Sequence, residues 1–209
     1  MNLTVGFDLD MTLIDSRPGI KAAYQALSAE TGTYIDADAA VTRLGPPLDE
    51  ELAHWFPADE IPAVADRYRE IYPAHAIAPT PALPGAREAV EAVRSLGGRA
   101  IVVTAKHEPN ARLHLRHLGI EPDAVIGWLW AEAKAGALRE YGAQVYVGDH
   151  VGDVRGARTA GALSVAVPTG PCAEPELRAA GADVVLPDLT ALPAWLARYV
   201  AGQDPQEAA

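Results

Sequence analysis

Short apolar runs alternate with amphipathic stretches over most of this chain. Each run has the length of a buried β-strand, and the stretches between the runs carry apolar residues three or four positions apart, as an amphipathic helix does. The strand candidates are residues 3–9, 99–104, 124–127, 144–148, 163–167 and 183–186. Because strands that alternate with helices pair in parallel and are covered by helices on both faces, the sequence predicts an α/β fold.

One long segment interrupts this alternation directly after the first predicted strand. Residues 16–80 contain helical patterns and no strand candidate, and the Pro-rich residues 78–85 are typical of a stiff linker. The helical patterns are 20–29, 49–55 and 61–71. We therefore expect a Rossmann-like parallel sheet core flanked by helices, residues 1–15 and 81–209. A small all-helical cap, residues 16–80, would be inserted after the first strand.

The composition limits the classes of partner that we expect. The 209 residues carry a formal net charge of −11, and the chain has no basic patch of the kind that binds nucleic acid. No apolar run is long enough to span a bilayer, and no charged segment followed by an apolar stretch indicates a secretion signal. Cys172 is the only cysteine, so an intrachain disulfide cannot form. We expect a cytoplasmic monomer or homodimer with no nucleic-acid or membrane partner.

Two aspartates, Asp8 and Asp10, come at the end of the first predicted strand with one residue between them. Alternation along an extended chain brings both side chains to the same face. The carboxyl ends of the strands are where open α/β sheets bind their ligands. Two ionised carboxylates this close repel each other, so the pair requires a cation or a shared proton.

Three further sets of polar residues follow later elements of the predicted core. Thr104 ends the second predicted strand, and Lys134 lies on a predicted helix, residues 131–141. Asp149 and Asp153 follow the apolar run that ends at residue 148. Because these residues follow parallel strands or lie on a helix next to them, we expect their side chains to meet at one edge of the sheet.

The residue types at this edge indicate phosphoryl transfer. Carboxylates such as Asp8, Asp10 and Asp149 offer the hard oxygen ligands that Mg²⁺ prefers. A hydroxyl such as Thr104 at the start of a helix binds phosphate oxygens together with free backbone N–H groups. A lysine offsets negative charge where carboxylate and phosphate meet. One carboxylate then acts as nucleophile and its neighbour as acid and base.

The same residues resemble the four motifs of the haloacid dehalogenase superfamily, and within it the capped, phosphoglycolate-phosphatase-like enzymes. Residues 8–12 resemble the first motif (Asp-x-Asp-x-Thr), Thr104 the second, Lys134 the third and residues 148–161 the fourth. The motifs occur in the family's order over nearly the whole chain, and the predicted cap lies at the expected position.

The resemblance implies chemical roles for the aspartates. Asp8 would attack phosphorus and form a phosphoaspartyl intermediate. Asp10 would protonate the leaving oxygen and then deprotonate the attacking water. Asp8, the main-chain carbonyl of Asp10 and Asp149 would hold Mg²⁺. Asp153 would support the metal through water or orient Lys134.

The resemblance also implies how the substrate is held. Thr104 and the N–H of Ala105 would bind the phosphoryl group, and Lys134 would steady the nucleophile and the phosphate. In many relatives the lysine of the third motif precedes a proline, whereas Lys134 precedes Ala-Gly, so Lys106 is the alternative cation. Arg43, in a segment that resembles the family's specificity loop, is a candidate contact for the organic part of an anionic substrate.

Three histidines lie near these motifs. His114 and His117 are three residues apart on one predicted helix, which is a spacing that can bind metal, but we expect a solvated helix face. His150, inside the fourth motif, is expected to fill a loop rather than bind a metal.

The sequence thus predicts a Mg²⁺-dependent phosphatase acting on a small phosphorylated metabolite. A sugar phosphomutase and a phosphonate hydrolase would share the whole core and remain alternatives. A haloacid dehalogenase usually lacks the second aspartate, so Asp10 argues against it. A signalling receiver domain carries its phosphoacceptor on a later strand than its acidic pair and has no cap, and a non-catalytic binding protein would not need every catalytic position.

Overall fold

A six-stranded parallel sheet forms the centre of the protein, in the order β3-β2-β1-β4-β5-β6. The computed structural model describes residues 3–202, so the ends of the predicted core, 1–2 and 203–209, lie outside it. The strands are β1 (Thr4–Phe7), β2 (Arg99–Val103), β3 (Ala124–Ile126), β4 (Val145–Gly148), β5 (Leu163–Ala166) and β6 (Val184–Val185). The α-helices are α1 (Arg17–Thr31), α2 (Ala37–Ala40), α3 (Leu48–Leu52), α4 (Ile61–Ala76), α5 (Ala86–Ser95), α6 (Glu108–Leu118), α7 (Lys134–Glu140), α8 (Val151–Ala160), α9 (Glu174–Ala179) and α10 (Leu192–Val200). Each strand lies inside its predicted run, and the predicted α/β fold is confirmed.

The sheet separates two apolar clusters because alternate residues of each strand point to opposite faces. On one face Val102 of β2 packs in a cluster with Phe7 of β1. On the other face Val103 packs in a cluster with Tyr146 of β4. All four residues of β1 are buried, as expected for a central parallel strand covered on both faces.

The position of β1 determines which loops meet at the carboxyl edge of the sheet. Phe7 is in register with Val102 of β2 and with Val147 of β4, so the three strands end side by side. Gly6 of β1 makes room for Tyr146, because a Cβ atom at this glycine would lie 2.8 Å from a ring carbon of the tyrosine. The hydroxyl of Tyr146 is thereby free to reach past the sheet toward the residues that follow β1.

Helices α1 to α4 lie between β1 and α5 and share a buried cluster of their own that includes Tyr24, Leu52 and Tyr68. The chain enters and leaves this helical segment at one place, because Asp15 N–H donates to the carbonyl of Pro81 at 3.0 Å. Ile14 and Ala82 form an isolated antiparallel bridge beside it. No helix among residues 3–202 is long and apolar enough to cross a membrane.

The expectation that His114 lies on a solvated helix face is wrong. His114 is fully buried on α6, and its Nε2 lies 3.0 Å from the hydroxyl of Tyr72 on α4. It is buried because α4 packs against this face of α6, a contact between distant parts of the chain. Burial, reinforced by the positive charge of Lys106, lowers the pKa of His114 from 6.5 to about 3.

We expect the buried His114 to make the protein less stable in acid. The unfolded chain binds a proton at His114 below about pH 6.5, whereas the folded protein does not until about pH 3, so stability falls as the pH falls between these values. By pH 4.5 the loss is about 2–3 kcal/mol. Melting temperatures at pH 7 and 4.5 should therefore differ less in His114→Gln than in the parent. His117→Gln, on the exposed side of the same helix, is the control. An unchanged pH dependence in His114→Gln would contradict the prediction.

Candidate active site

Residues that follow β1, β2 and β3 surround one cavity of about 340 Å³ together with residues of the helical segment. Its lining includes most of the candidate site residues. They are Asp8, Asp10, Arg43, Thr104, Ala105, Lys106 and Lys134. Asp149 and Asp153 lie at the same edge of the sheet, where Asp153 joins Lys134 and Asp149 accepts a hydrogen bond from Thr12.

Three buried carboxylates, those of Asp8, Asp149 and Asp153, form an acidic cluster. Each offers one oxygen atom, and these atoms lie within 4.8 Å of one another. Burial raises the pKa of Asp8 to about 7 against the opposing charge of Lys134, and the charge of Asp153 raises it further. Burial and the charges of Asp153 and Asp8 raise the pKa of Asp149 well above its usual range. The cluster therefore favours a bound cation.

Lys134 provides the cation within this cluster. Its side chain is 1% exposed, and Nζ donates to Asp8 Oδ1 at 2.8 Å, to Tyr146 Oη at 2.8 Å and to Asp153 Oδ1 at 2.6 Å. Tyr146 is itself held by a hydrogen bond to the carbonyl of Val103 at 2.7 Å. All three ammonium protons of Lys134 thus have acceptors that hold the lysine beside Asp8.

Lys106 is bound to the other aspartate of the first motif. Its Nζ donates to Asp10 Oδ1 at 2.8 Å and to Oδ2 at 3.1 Å, and it lies 4.9 Å from the ring centre of Tyr72. Burial would raise the pKa of Asp10, but the charge and hydrogen bond of Lys106 outweigh it, so the pKa is lowered. β1 ends at Phe7, and the chain turns directly after Asp10, where Met11 has a φ of 59°. The carboxylate of Asp10 is held by Lys106 and is not one of the three carboxylates of the acidic cluster.

Thr104 does not begin a helix, contrary to the sequence-based expectation. Helix α6 begins at Glu108, with His107 as the N-cap residue. The backbone of Thr104 instead continues the strand-like pairing, because its N–H donates to the carbonyl of Ile126 at 2.9 Å. Its hydroxyl accepts a hydrogen bond from the N–H of Lys106 at 3.2 Å. Thr104 therefore presents a hydroxyl to the cavity without a helix N-terminus beside it.

Asp153 is held in place by the start of helix α8. His150 is the N-cap residue of α8, and Asp153 is in the first turn, where it accepts the N–H of His150 at 3.1 Å. The ring of His150 accepts the N–H of Gly152 at 3.0 Å and packs 5.0 Å from the ring of Trp130. His150 thus stabilises its loop, and the second oxygen of Asp153 remains on Lys134.

Arg43 reaches the cavity from the helical segment, but its guanidinium is already paired. Nε donates to Glu51 Oε2 at 3.1 Å, and a second nitrogen binds the other carboxylate oxygen. Nearby, Gly45 has a φ of 133°, and a Cβ atom there would lie 3.0 Å from both Trp130 and His150. The helical segment therefore meets the rest of the protein at Gly45, and a larger residue at this position would push the two parts away from each other.

Two residues of the site were not given a role from the sequence. Thr12 donates to Asp149 Oδ1 at 2.7 Å and so orients this carboxylate, and its place in the first motif is the signal that would have identified it. Tyr146 supports Lys134 from the middle of β4. The signal for Tyr146 is a large residue with a polar end inside an otherwise apolar run.

Comparison with known proteins places this site in a family context. The family model described as haloacid dehalogenase-like hydrolase matches residues 5–167. Phosphoglycolate phosphatase from Caulobacter vibrioides is 29% identical over 212 residues, covering 88% of this chain and 86% of that protein. Among solved structures, a haloacid dehalogenase-like hydrolase from Streptococcus pneumoniae superposes with a TM-score of 0.79 at 25% identity, covering 95% of this chain and 98% of that one.

A second relative carries a different description. Tyrosine-protein kinase PtkA from Mycobacterium tuberculosis is 32% identical over 178 residues, which covers 78% of this chain and 61% of that protein. The chain thus spans about three fifths of the length of PtkA.

Proposed function

The chain belongs to the haloacid dehalogenase-like hydrolase family, and on that basis we propose that it is a Mg²⁺-dependent phosphatase acting on a small phosphorylated metabolite. One observation carries the proposal: two aspartates line the same cavity, Asp8 within an acidic cluster and Asp10 apart from it on a separate lysine. This separation suits a nucleophile and an acid-base residue with different tasks.

The residues of the acidic cluster fit a magnesium ion. The donors would be carboxylate oxygens of Asp8 and Asp149 and the main-chain carbonyl of Asp10, with Asp153 acting through water, and hard oxygen ligands suit Mg²⁺. Gly170 packs closely on Asp149, since a Cβ atom there would lie 1.8 Å from its Oδ2. When bound, Mg²⁺ would supply positive charge against the phosphoryl oxygens.

The side chains of this chain would perform the covalent steps. A carboxylate oxygen of Asp8 forms a bond to phosphorus as the bond to the substrate's leaving oxygen breaks, and Asp10, which must enter this step in its protonated form, gives that oxygen its proton. Asp10 then takes a proton from water, whose oxygen attacks phosphorus and breaks the bond to Asp8, releasing inorganic phosphate. Lys134 holds Asp8 throughout, and the Thr104 hydroxyl with the N–H of Ala105 binds the phosphoryl oxygens.

We also propose that residues 16–80 act as a cap over a core formed by residues 1–15 and 81–209. The separate buried cluster of α1 to α4 supports this division. Tyr24 and Arg43 line the cavity from the cap side, and Asp8 and Lys134 line it from the core side. A cap placed in this way would exclude water during transfer and select the substrate.

Removal of metal tests the proposed function. The purified protein should hydrolyse p-nitrophenyl phosphate with Mg²⁺, and EDTA should lower the rate by about 100-fold or more, because the ion contributes several kcal/mol of charge stabilisation. Addition of excess Mg²⁺ to the chelated sample should restore the rate and controls for loss of folded protein. Undiminished release of phosphate in EDTA would overturn the metal-dependent mechanism.

The similarity to PtkA supports a second candidate function, transfer of a phosphoryl group from ATP to a protein tyrosine. The two functions differ in their products, since a phosphatase releases inorganic phosphate and a kinase leaves ADP and a phosphorylated protein. A phosphomutase would likewise release no stoichiometric phosphate. Measuring phosphate, ADP and protein-bound phosphate in one reaction therefore separates the alternatives.

A further inference from the structure

The cavity that contains Asp8 and Asp10 is lined by more aromatic surface than a phosphoryl group requires. Its volume of about 340 Å³ lies in the range of small-molecule sites. Aromatic side chains line it from α1, from α4 and from the segment after β3. They are Tyr24, Tyr68, Tyr72, Trp128 and Trp130. Rings of this kind bind flat apolar groups by stacking and edge contacts.

Three of these aromatic side chains contact one another and form one side of the cavity. The ring of Tyr68 lies 4.9 Å from that of Tyr24 and 5.5 Å from that of Tyr72. On the other side Trp128 contacts His107 at 5.0 Å. Trp128 has a φ of 65°, which is uncommon for a bulky residue, and it is 55% exposed. Strained residues are concentrated at ligand sites, and the packing of the core does not account for this one.

Every cation that lines the cavity, among residues 3–202, is already bound to a carboxylate. Lys134 is held by Asp8 and Asp153, and Lys106 by Asp10. Arg43 is held by Glu51. Arg69 binds Asp66 at 3.0 Å and Asp49 at 3.2 Å, and it also lies 4.6 Å from the ring centre of Trp128.

The charges near the two arginines are predominantly negative. Asp49, Glu50 and Glu51 all line the cavity together with Arg43 and Arg69, so acids outnumber arginines in this part of the wall. A substrate carboxylate placed here would have to displace an existing carboxylate from its arginine. Like charges brought together in a closed site cost binding energy, so an anionic organic group is disfavoured.

Two neutral hydrogen-bonding side chains also line the cavity. His107 and Asn110 both line it and interact with each other. Burial lowers the pKa of His107, so its ring is uncharged at neutral pH. Neutral donors and acceptors of this kind suit the heteroatoms of an uncharged ring.

We propose that the substrate is a phosphate monoester whose organic part is an uncharged, ring-containing group rather than a carboxylate-bearing one. The proposal rests on the phosphatase function proposed above, and it differs from the phosphoglycolate named for the Caulobacter vibrioides relative. The aromatic side chains would bind the ring, and His107 with Asn110 would bind its heteroatoms. The paired arginines would hold the acidic wall in place instead of binding the ligand.

A binding experiment tests this substrate class independently of turnover. Asp8→Asn would be titrated with benzyl phosphate, 4-carboxybenzyl phosphate and phosphoglycolate, with tryptophan fluorescence as the readout, since Trp128 and Trp130 line the cavity. Benzyl phosphate should bind at least about tenfold more tightly than either carboxylate-bearing ligand. Equal or tighter binding of 4-carboxybenzyl phosphate or phosphoglycolate would overturn the proposal.

Turnover of the same ligands by the parent enzyme separates this proposal from the phosphatase function. Benzyl phosphate has an alkoxide leaving group, as phosphoglycolate does, so a difference in kcat/KM does not arise from an aryl leaving group. Tight binding of benzyl phosphate without any phosphate release would overturn the phosphatase function and leave the ligand preference standing. Rapid hydrolysis of phosphoglycolate with slow hydrolysis of benzyl phosphate would overturn the ligand preference and leave the phosphatase function standing.

A matched pair of variants tests the role of the bound arginine. Glu51→Gln removes the charged partner of Arg43, so 4-carboxybenzyl phosphate should bind about five- to tenfold more tightly than in the parent protein. Glu50→Gln removes the same charge from the neighbouring position and leaves the Arg43–Glu51 pair in place, so the gain should be smaller. Equal gains in the two variants would show that the pairing of Arg43 does not determine the preference.

Discussion

Replacing Asp8 by asparagine is expected to abolish turnover and, in the absence of metal, to stabilise the folded protein. The amide lacks the anionic oxygen that attacks phosphorus, so the rate should fall by at least about 1,000-fold. Stability should rise because burial raises the pKa of Asp8 to about 7, which means that the ionised side chain is destabilising in the folded state. The neutral amide removes this cost, which amounts to a few kcal/mol at most.

Activity and melting temperature measured at pH 8 in EDTA check both parts of this prediction. Asp8→Asn should melt at a higher temperature than the parent, and added Mg²⁺ should reduce the difference because it stabilises only the intact acidic cluster. Asp38→Asn is the matched control, since Asp38 forms an exposed ion pair with Lys21 and should change neither property appreciably. An active Asp8→Asn variant would contradict the assignment of the nucleophile.

The fold and the positions of the acidic residues were predictable because both depend on local patterns. Apolar runs of strand length predicted all six strands, and parallel pairing brings the residues that follow them to one edge. Asp8 and Asp149 therefore lie close together although they are far apart in sequence. The local pattern did not predict the structure just beyond a strand end. The sequence predicts that Thr104 begins a helix, whereas its backbone continues the strand-like pairing.

The partner of each side chain was not predictable, since it depends on contacts between remote segments. Lys106 was an alternative to Lys134 from the sequence, yet the structure uses both lysines, one on each aspartate. Arg43 is bound to Glu51 eight residues later, a pairing that the bend between α2 and α3 creates. His114 shares the apolar face of α6 with Ala111, and this spacing is the signal that would have predicted its burial.

Removal of Lys134 is expected to cause the largest loss of stability among the site variants. In Lys134→Ala the carboxylates of Asp8 and Asp153 lose the ammonium that both contact, and a buried charge without a partner costs about 3–5 kcal/mol. For a protein of this size that corresponds to a fall in melting temperature of about 10 °C. Activity should also fall by about 100-fold or more, because the nucleophile is no longer held in position.

Lys106→Ala supplies the comparison that separates the two lysines. Lys106 pairs with one carboxylate, that of Asp10, and its side chain is more exposed than that of Lys134, so its loss should destabilise the protein less. Mg²⁺ should restore part of the melting temperature of Lys134→Ala, because the ion would neutralise the same carboxylates, but should have a smaller effect on Lys106→Ala. Lys21→Ala, which breaks an exposed ion pair, controls for loss of a lysine as such.

Equal, mild losses of activity in Lys134→Ala and Lys106→Ala would mean that neither lysine serves the reaction. Equal shifts in melting temperature would contradict the assignment of Lys134 to the acidic cluster.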